Sequence, residues 1–177
     1  MKINYRPEID GLRTIAVISV VIYHLQIFFG SSQFLRGGFL GVDIFFVISG
    51  FLITSIIIGE INQTGSFSFS NFYERRLRRL LPALLIVIIA TLPVAWYILL
   101  PEQLVDFSKS VISSLAFGSN FYWHFSLQEY GAESALLQPF LHTWSLAVEE
   151  QFYFIYPVFL LFIYKWYRQY RVVLLTA

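Results

Sequence analysis

Four apolar stretches, separated by charged clusters, organise the chain. Thr14–Phe29 is sixteen residues long and is interrupted by His24 and Gln26. Leu40–Ile58 is nineteen residues with one charge, Asp43, and Leu80–Leu100 is twenty-one residues with none. Phe152–Tyr164 is thirteen, too short by itself for a hydrocarbon core that takes ~20 helical residues. Extended back to Trp144 it reaches twenty-one, and then contains Glu149 and Glu150. Runs of this length predict an all-α fold, a polytopic transmembrane bundle of about four spans. After Arg171 an apolar run of six residues, Val172–Ala177, ends the sequence. It is too short to span, so the chain is expected to be the N-terminal part of a longer membrane domain, residues 1–177 being incomplete.

Lysine and arginine fall in three groups: Lys2, Arg6 and Arg13; Arg75, Arg76, Arg78 and Arg79; Lys165, Arg168 and Arg171. Cytoplasmic loops carry the positive excess. Two spans lie between the first and second groups and two between the second and third, so all three groups fit on the inner side. The N-terminus is then cytoplasmic, and Pro101–Thr143 becomes a forty-three-residue outer segment. Within it Lys109–Phe125 is moderately apolar. A fifth span there would put the last basic group outside, so an interfacial or re-entrant helix is expected. Gly30–Gly38 reads as a short outer turn and 59–71 as an inner loop rich in Ser, Gly and Asn. A secretory signal peptide is the competing reading of the first stretch. Three further spans and the polar His24 favour a retained helix.

Composition agrees and removes other classes. Apolar residues are 57% and charged residues 13%, with a mean hydropathy of +0.66. A soluble domain of this size lacks the interior to hide so much apolar surface. Disorder is excluded by 19 Phe, 11 Tyr and 4 Trp. A net charge of +1 offers nothing to nucleic acid, and the absence of cysteine removes disulfides, thiolate metal sites and a cysteine nucleophile. No metal site is expected, because His24, His124 and His142 lack ligand spacing.

Ionisable groups within spans are costly and mark function by default. Arg13 and His24 are eleven residues apart, ~16.5 Å along a helix and about 20° past three full turns, so they share one face. Such a one-sided polar stripe implies a polar cavity between helices, with His24 near or slightly beyond the midplane. Histidine changes charge near neutral pH and suits a general base; an interhelical hydrogen bond is its structural alternative, and a positive-inside anchor is that of Arg13. Asp43 follows Gly37-Gly38-Phe39-Leu40-Gly41, where small residues allow close helix approach, and it is expected to pair with Arg36 or with a polar group in the cavity. Glu149 and Glu150 face different directions on one helix, so at most one addresses His24, where a carboxylate on Nδ1 would fix the tautomer. The other looks toward the outer surface. Arg75, Arg78 and Arg79 share a helix face, and with Arg76 they suit either phosphate recognition or topogenic charge against anionic lipid. His124 reads as interfacial, and His142 beside Trp144 lies near the outer surface.

These residues also resemble a family. YRPEIDGLRTIAVISVVIYH (Tyr5–His24) resembles the signature of the acyltransferase-3 family of integral-membrane O-acyltransferases, which decorate bacterial surface polysaccharides. GGFLGVDIFFVISGFLIT (Gly37–Thr54) resembles its second-helix motif. FYERRLRRLLPAL, from Phe72, resembles its cytoplasmic arginine motif, and LHTWSLAVEEQFYFIYP (Leu141–Pro157) its Trp-Ser-Leu-x-x-Glu segment. The motifs occur in family order. Family members have about ten membrane helices, and those opening in this way often carry a C-terminal extracytoplasmic SGNH-type domain.

The resemblance implies a protein of the bacterial inner membrane. Its donor substrate is an acyl-CoA, acetyl-CoA above all, with no permanently bound cofactor. The acceptor it implies is a hydroxyl of an exported or lipid-linked glycan such as O-antigen, peptidoglycan or exopolysaccharide. Arg75, Arg76, Arg78 and Arg79 then hold the CoA phosphates and Arg13 steadies the donor or the cavity. His24 removes the acceptor proton or carries the acyl group, and Glu149 orients and charge-balances His24. Asp43, Trp144, Ser145 and Glu150 line the cavity or serve structure. The expectation for the fragment alone is inactivity. The alternatives are a translocator using Arg13, His24 and Glu149 as a proton relay and a membrane subunit without chemistry of its own.

Overall fold

The computed structural model describes residues 6–29, 32–128 and 138–176, with side chains as far as Tyr167. Six helices dominate it: α1 (Pro7–His24), α2 (Gly41–Thr64), α3 (Phe69–Ile98), α4 (Pro101–Leu115), α5 (Ser119–Ser126) and α6 (Thr143–Thr176). Between α1 and α2 lie a two-residue antiparallel pair, Phe28–Phe29 with Ser32–Gln33, and a 3-10 turn at Arg36–Leu40. The chain forms two units. One comprises residues 1–67 with 157–177, the other residues 68–156.

In the first unit, α1 starts at Pro7, whose missing N–H costs nothing in a first turn. Glu8 and Asp10 favour the positive end of the helix. The helix stops at His24, earlier than the apolar run. Gln26 takes a positive φ of 48°, and the Gln33 side-chain amide donates to the Tyr23 carbonyl at 2.9 Å. Hydrophobicity continues to Phe29, but the last residues form the small hairpin instead.

Contact between α1 and α2 depends on having no side chain at two places. A Cβ on Gly38 would run into the Ser19 carbonyl oxygen and lie 2.8 Å from Tyr23 Cβ. One on Gly41 would lie 2.5 Å from the Ala16 carbonyl oxygen and 2.7 Å from Val20 Cγ2. The expected close approach at 37–41 is therefore real, and Ala16 is wholly buried beneath it. Thr14 and Ser19 return their hydroxyls to carbonyls one turn back, at 2.9 and 2.8 Å, so both hydroxyls are satisfied within the helix. α2 continues past Ile58 to Thr64 and ends at Gly65, where φ is 75°.

In the second unit, Ser68 caps α3 by accepting from the Asn71 N–H at 3.4 Å. The arginine cluster therefore lies inside the same thirty-residue helix as the apolar run that follows it. Leu84, Ile88, Ala95, Phe107, Trp123 and Phe140 form the buried core of this unit, and the Trp123 indole N–H donates to the Phe140 carbonyl at 3.2 Å. Where a single interfacial or re-entrant helix is expected at Lys109–Phe125, the chain forms α4 and α5, broken at Ala116–Gly118 with Phe117 at φ 51°. Their fifteen and eight residues fall short of a membrane's thickness. Gln151 of α6 donates to the Phe117 carbonyl at 2.8 Å and so satisfies the break.

Among the described residues three segments are long and apolar enough to cross a membrane: Arg36–Thr64, Phe69–Ile98 and Thr143–Tyr167. Helix α1 has eighteen residues but carries Glu8, Asp10 and Arg13 in its first half. The all-α membrane-bundle expectation thus holds, with α2 running on past its apolar stretch and α3 starting well before its own. Backbone hydrogen bonding carries a helix past the point where hydrophobicity stops.

Candidate functional site

Arg13 and His24 lie on one continuous helix, as their spacing requires. Arg13 is half-buried, and its Nε is buried without a hydrogen-bond partner among the described residues. A guanidinium N–H taken from water and left unmatched is costly, so this position favours a polar group beside it. His24 is the last residue of α1 and its ring is exposed. Its Nδ1 lies 2.8 Å from the Val20 carbonyl oxygen, and the Tyr23 ring meets it edge-on at 5.3 Å. A carbonyl can only accept, so the neutral imidazole carries its proton on Nδ1 and keeps its lone pair on Nε2. That is the tautomer a general base needs. The group that sets it is a backbone carbonyl one turn back, where a carboxylate is expected from the sequence.

Asp43 occupies the first turn of α2 and is exposed. The expected pairing with Arg36 is absent among the described ion pairs. The positive end of α2 is the stabilising partner its carboxylate has here.

In the second unit the four arginines divide. Arg75, Arg78 and Arg79 are exposed, while Arg76 turns inward beside Phe72, one turn earlier on α3. Its guanidinium stands 3.7 Å above the Tyr153 ring of α6. A desolvated contact of this kind contributes about 2 kcal/mol. The ion pair of Arg78 with Glu74, 2.7 Å apart, is highly exposed and adds at most ~0.5 kcal/mol. The exposed arginine face therefore comprises Arg75, Arg78 and Arg79, with Arg76 drawn to the Tyr153 ring.

The segment 149–154 meets α3 along this seam. Tyr73 donates to the carbonyls of Tyr153 (3.4 Å) and Phe154 (3.3 Å) and stacks on the Phe154 ring at 4.9 Å. Tyr153, 1% exposed, donates its hydroxyl to Glu149 one turn back. Glu150 does not look toward the outer surface as expected. It is 9% exposed, acted on by the Arg76 charge, and has one carboxylate oxygen buried without a hydrogen-bond partner. Trp144 is exposed, and the Ser145 hydroxyl donates to the His142 carbonyl at 3.1 Å, a contact of the helix start. His142 stacks on Phe140, and His124 is exposed beside Phe125.

Two groups were not anticipated from the sequence. One is Tyr153, whose i, i+4 spacing from Glu149 was the available signal. The other is a set of two polar pairs, a buried hydroxyl pair and a half-buried amide pair. Ser114 and Thr143 hydroxyls lie 2.8 Å apart, and Asn120 and Gln151 exchange side-chain hydrogen bonds at 3.1 and 2.9 Å. Serines in a moderately apolar helix carry no periodic signal for that arrangement.

Fold and polar groups together define a multi-pass membrane protein with ionisable side chains set on helices. The acyltransferase domain model of known families matches residues 6–177, and the chain belongs to that acyltransferase family. It is 42% identical over 160 residues to O-acetyltransferase OatA of Staphylococcus aureus strain NCTC 8325, covering 90% of this chain and 25% of that protein. A provisionally named O-acetyltransferase of strain MSSA476 is 43% identical over 159 residues with the same coverage. The chain thus spans about a quarter of the length of these curated relatives. No solved structure matches it.

Proposed function

We propose that the protein of which this chain forms a part transfers an acyl group, foremost acetyl, from acyl-CoA to a hydroxyl of a cell-surface or lipid-linked glycan. The observation that carries the reading is His24 held as the Nδ1–H tautomer on α1, one helix face with Arg13, in a chain of this family. The O-acetyltransferase names of its relatives support the acyl group proposed.

In this reading Nε2 of His24 takes the proton from the acceptor hydroxyl as its oxygen attacks the thioester carbonyl. The C–O bond forms, the C–S bond breaks, and the proton returns to the departing CoA thiolate. Val20 keeps the imidazolium's other N–H occupied throughout. Arg13, short of a partner at Nε, binds the donor or the polar intermediate. Glu149 is the carboxylate assigned to charge balance during the transfer. Arg75, Arg78 and Arg79, exposed on one face of α3, take the CoA phosphates, for which guanidinium forks are suited. The arginine face lies on the cytoplasmic side of the bacterial inner membrane, where the N-terminus also lies. O-antigen, peptidoglycan and exopolysaccharide are the acceptor classes.

The test uses membranes containing the full-length protein, labelled acetyl-CoA and isolated surface glycan. Wild type transfers label and His24→Ala, inserted at the same level, loses it by about 10²–10⁴-fold, the contribution of a general base. Retained transfer in His24→Ala removes the mechanism. No transfer from any acyl-CoA in wild type would move the Arg13, His24 and Glu149 set toward proton-coupled translocation.

A further inference from the structure

The Glu149 carboxylate matters to the reading above; its donor lies one turn on along α6, and that donor is covered from another helix. A glutamate side chain rotates about three bonds, so a single acceptor oxygen is aimed only when its donor is itself immobile. The donor is Tyr153, which gives its hydroxyl to Glu149. That ring is 1% exposed, with two contacts on the ring and one on its backbone. Arg76 covers its face at 3.7 Å, Tyr73 grips its backbone carbonyl at 3.4 Å, and Phe152 meets its edge at 6.0 Å. Arg76 is the one arginine of its cluster that is not exposed, and its planar face lies against the ring.

We propose that Tyr153 is a positioning residue for acyl transfer, held over its ring by Arg76 of α3 and holding Glu149 by its hydroxyl, so that Arg76 serves this ring and not a CoA phosphate. The proposal rests on the acyl-transfer reading for its role. The contact chain from Arg76 through Tyr153 to Glu149 stands apart from it. A guanidinium above an aromatic face also draws on ring electron density and strengthens the phenol as a donor. The contact of Arg76 with the Tyr153 ring therefore connects the helix of the exposed arginines to Glu149.

Two measurements on the full-length protein in membranes test it. In the first, 3-fluorotyrosine is placed at position 153 alone and its fluorine resonance recorded. Glu149→Gln and Arg76→Gln each move the resonance, while Arg78→Gln leaves it in place. An unmoved resonance in both of the first two variants overturns the proposal, whatever the activity. In the second, Tyr153→Phe keeps the ring and loses the hydroxyl. Its kcat falls about ten- to hundredfold, the scale of a misplaced reacting group, with KM for acetyl-CoA unchanged. Arg76→Gln follows the same pattern, whereas Arg78→Gln raises KM. An Arg76→Gln protein with raised KM and normal kcat makes Arg76 a phosphate ligand and overturns the proposal, as does a Tyr153→Phe protein with normal kcat. If the resonance shifts occur in a protein that transfers no acyl group, the contact chain is upheld and the acyl-transfer reading falls.

Discussion

Helices α1 and α2 meet through atoms that are missing, while α3 and α6 meet through atoms that are present. At Gly38 and Gly41 the absence of a Cβ lets one backbone lie on the other, with the Ser19 and Ala16 carbonyls in contact range. At Tyr73, Arg76, Tyr153 and Phe154 large side chains fill the gap with rings, a cation and two hydrogen bonds to backbone carbonyls. In lipid there is no water to drive helices together, so association rests on close packing or on polar contacts. This chain uses one solution in each unit. The first keeps side chains out of the seam and leaves Arg13 and His24 their own face. The second builds charged and hydroxyl groups into the seam itself. The first contact should tolerate no added volume, and the second no loss of chemistry.

The strongest test of that contrast is functional. His24→Ala should reduce acyl transfer by about 10²–10⁴-fold with insertion and thermal stability little changed, because the ring is exposed and its contacts lie within its own helix. A drop in stability alongside activity would assign His24 to the α1–α2 contact instead. Next in size is the glycine seam. Gly41→Ala should cost about 1–3 kcal/mol and lower the melting temperature in detergent, since the added methyl meets a rigid carbonyl. Gly50→Ala on the same helix, where nothing lies within 4 Å, should be neutral or slightly stabilising. Equal melting temperatures for the two variants would show that the seam opens without cost.

In the aromatic seam, Arg76→Ala should lower stability by about 2 kcal/mol, because a half-buried cation leaves the Tyr153 ring and Glu150 loses its opposite charge. Arg78→Ala, removing an ion pair that is 79% and 54% exposed, should change stability by no more than ~0.5 kcal/mol. Thermal unfolding of the two variants side by side makes the measurement, and similar losses would deny the inward role of Arg76. Ser114→Ala removes a buried partner of Thr143 and should cost about 1 kcal/mol.

Some of this was legible because helical periodicity is local. The helices over the apolar runs, the shared face of Arg13 and His24, and the close approach at Gly37–Gly41 all follow from spacing along one element. So does the shared face of Arg75, Arg78 and Arg79. The amino-acid sequence by itself therefore determined the membrane class, the helical framework and which residues stand together on each helix. Four decisions came only from tertiary structure. Helix α1 stops at His24 because Gln33, nine residues later, caps the Tyr23 carbonyl. The segment at 116–118 breaks because Gln151 from another helix satisfies the Phe117 carbonyl. Arg76 leaves its cluster for the Tyr153 ring, and Glu150 turns inward beside it. In each case the local chain permits more than one outcome. The free energy that selects among them resides in a partner group distant in sequence, which periodicity cannot report.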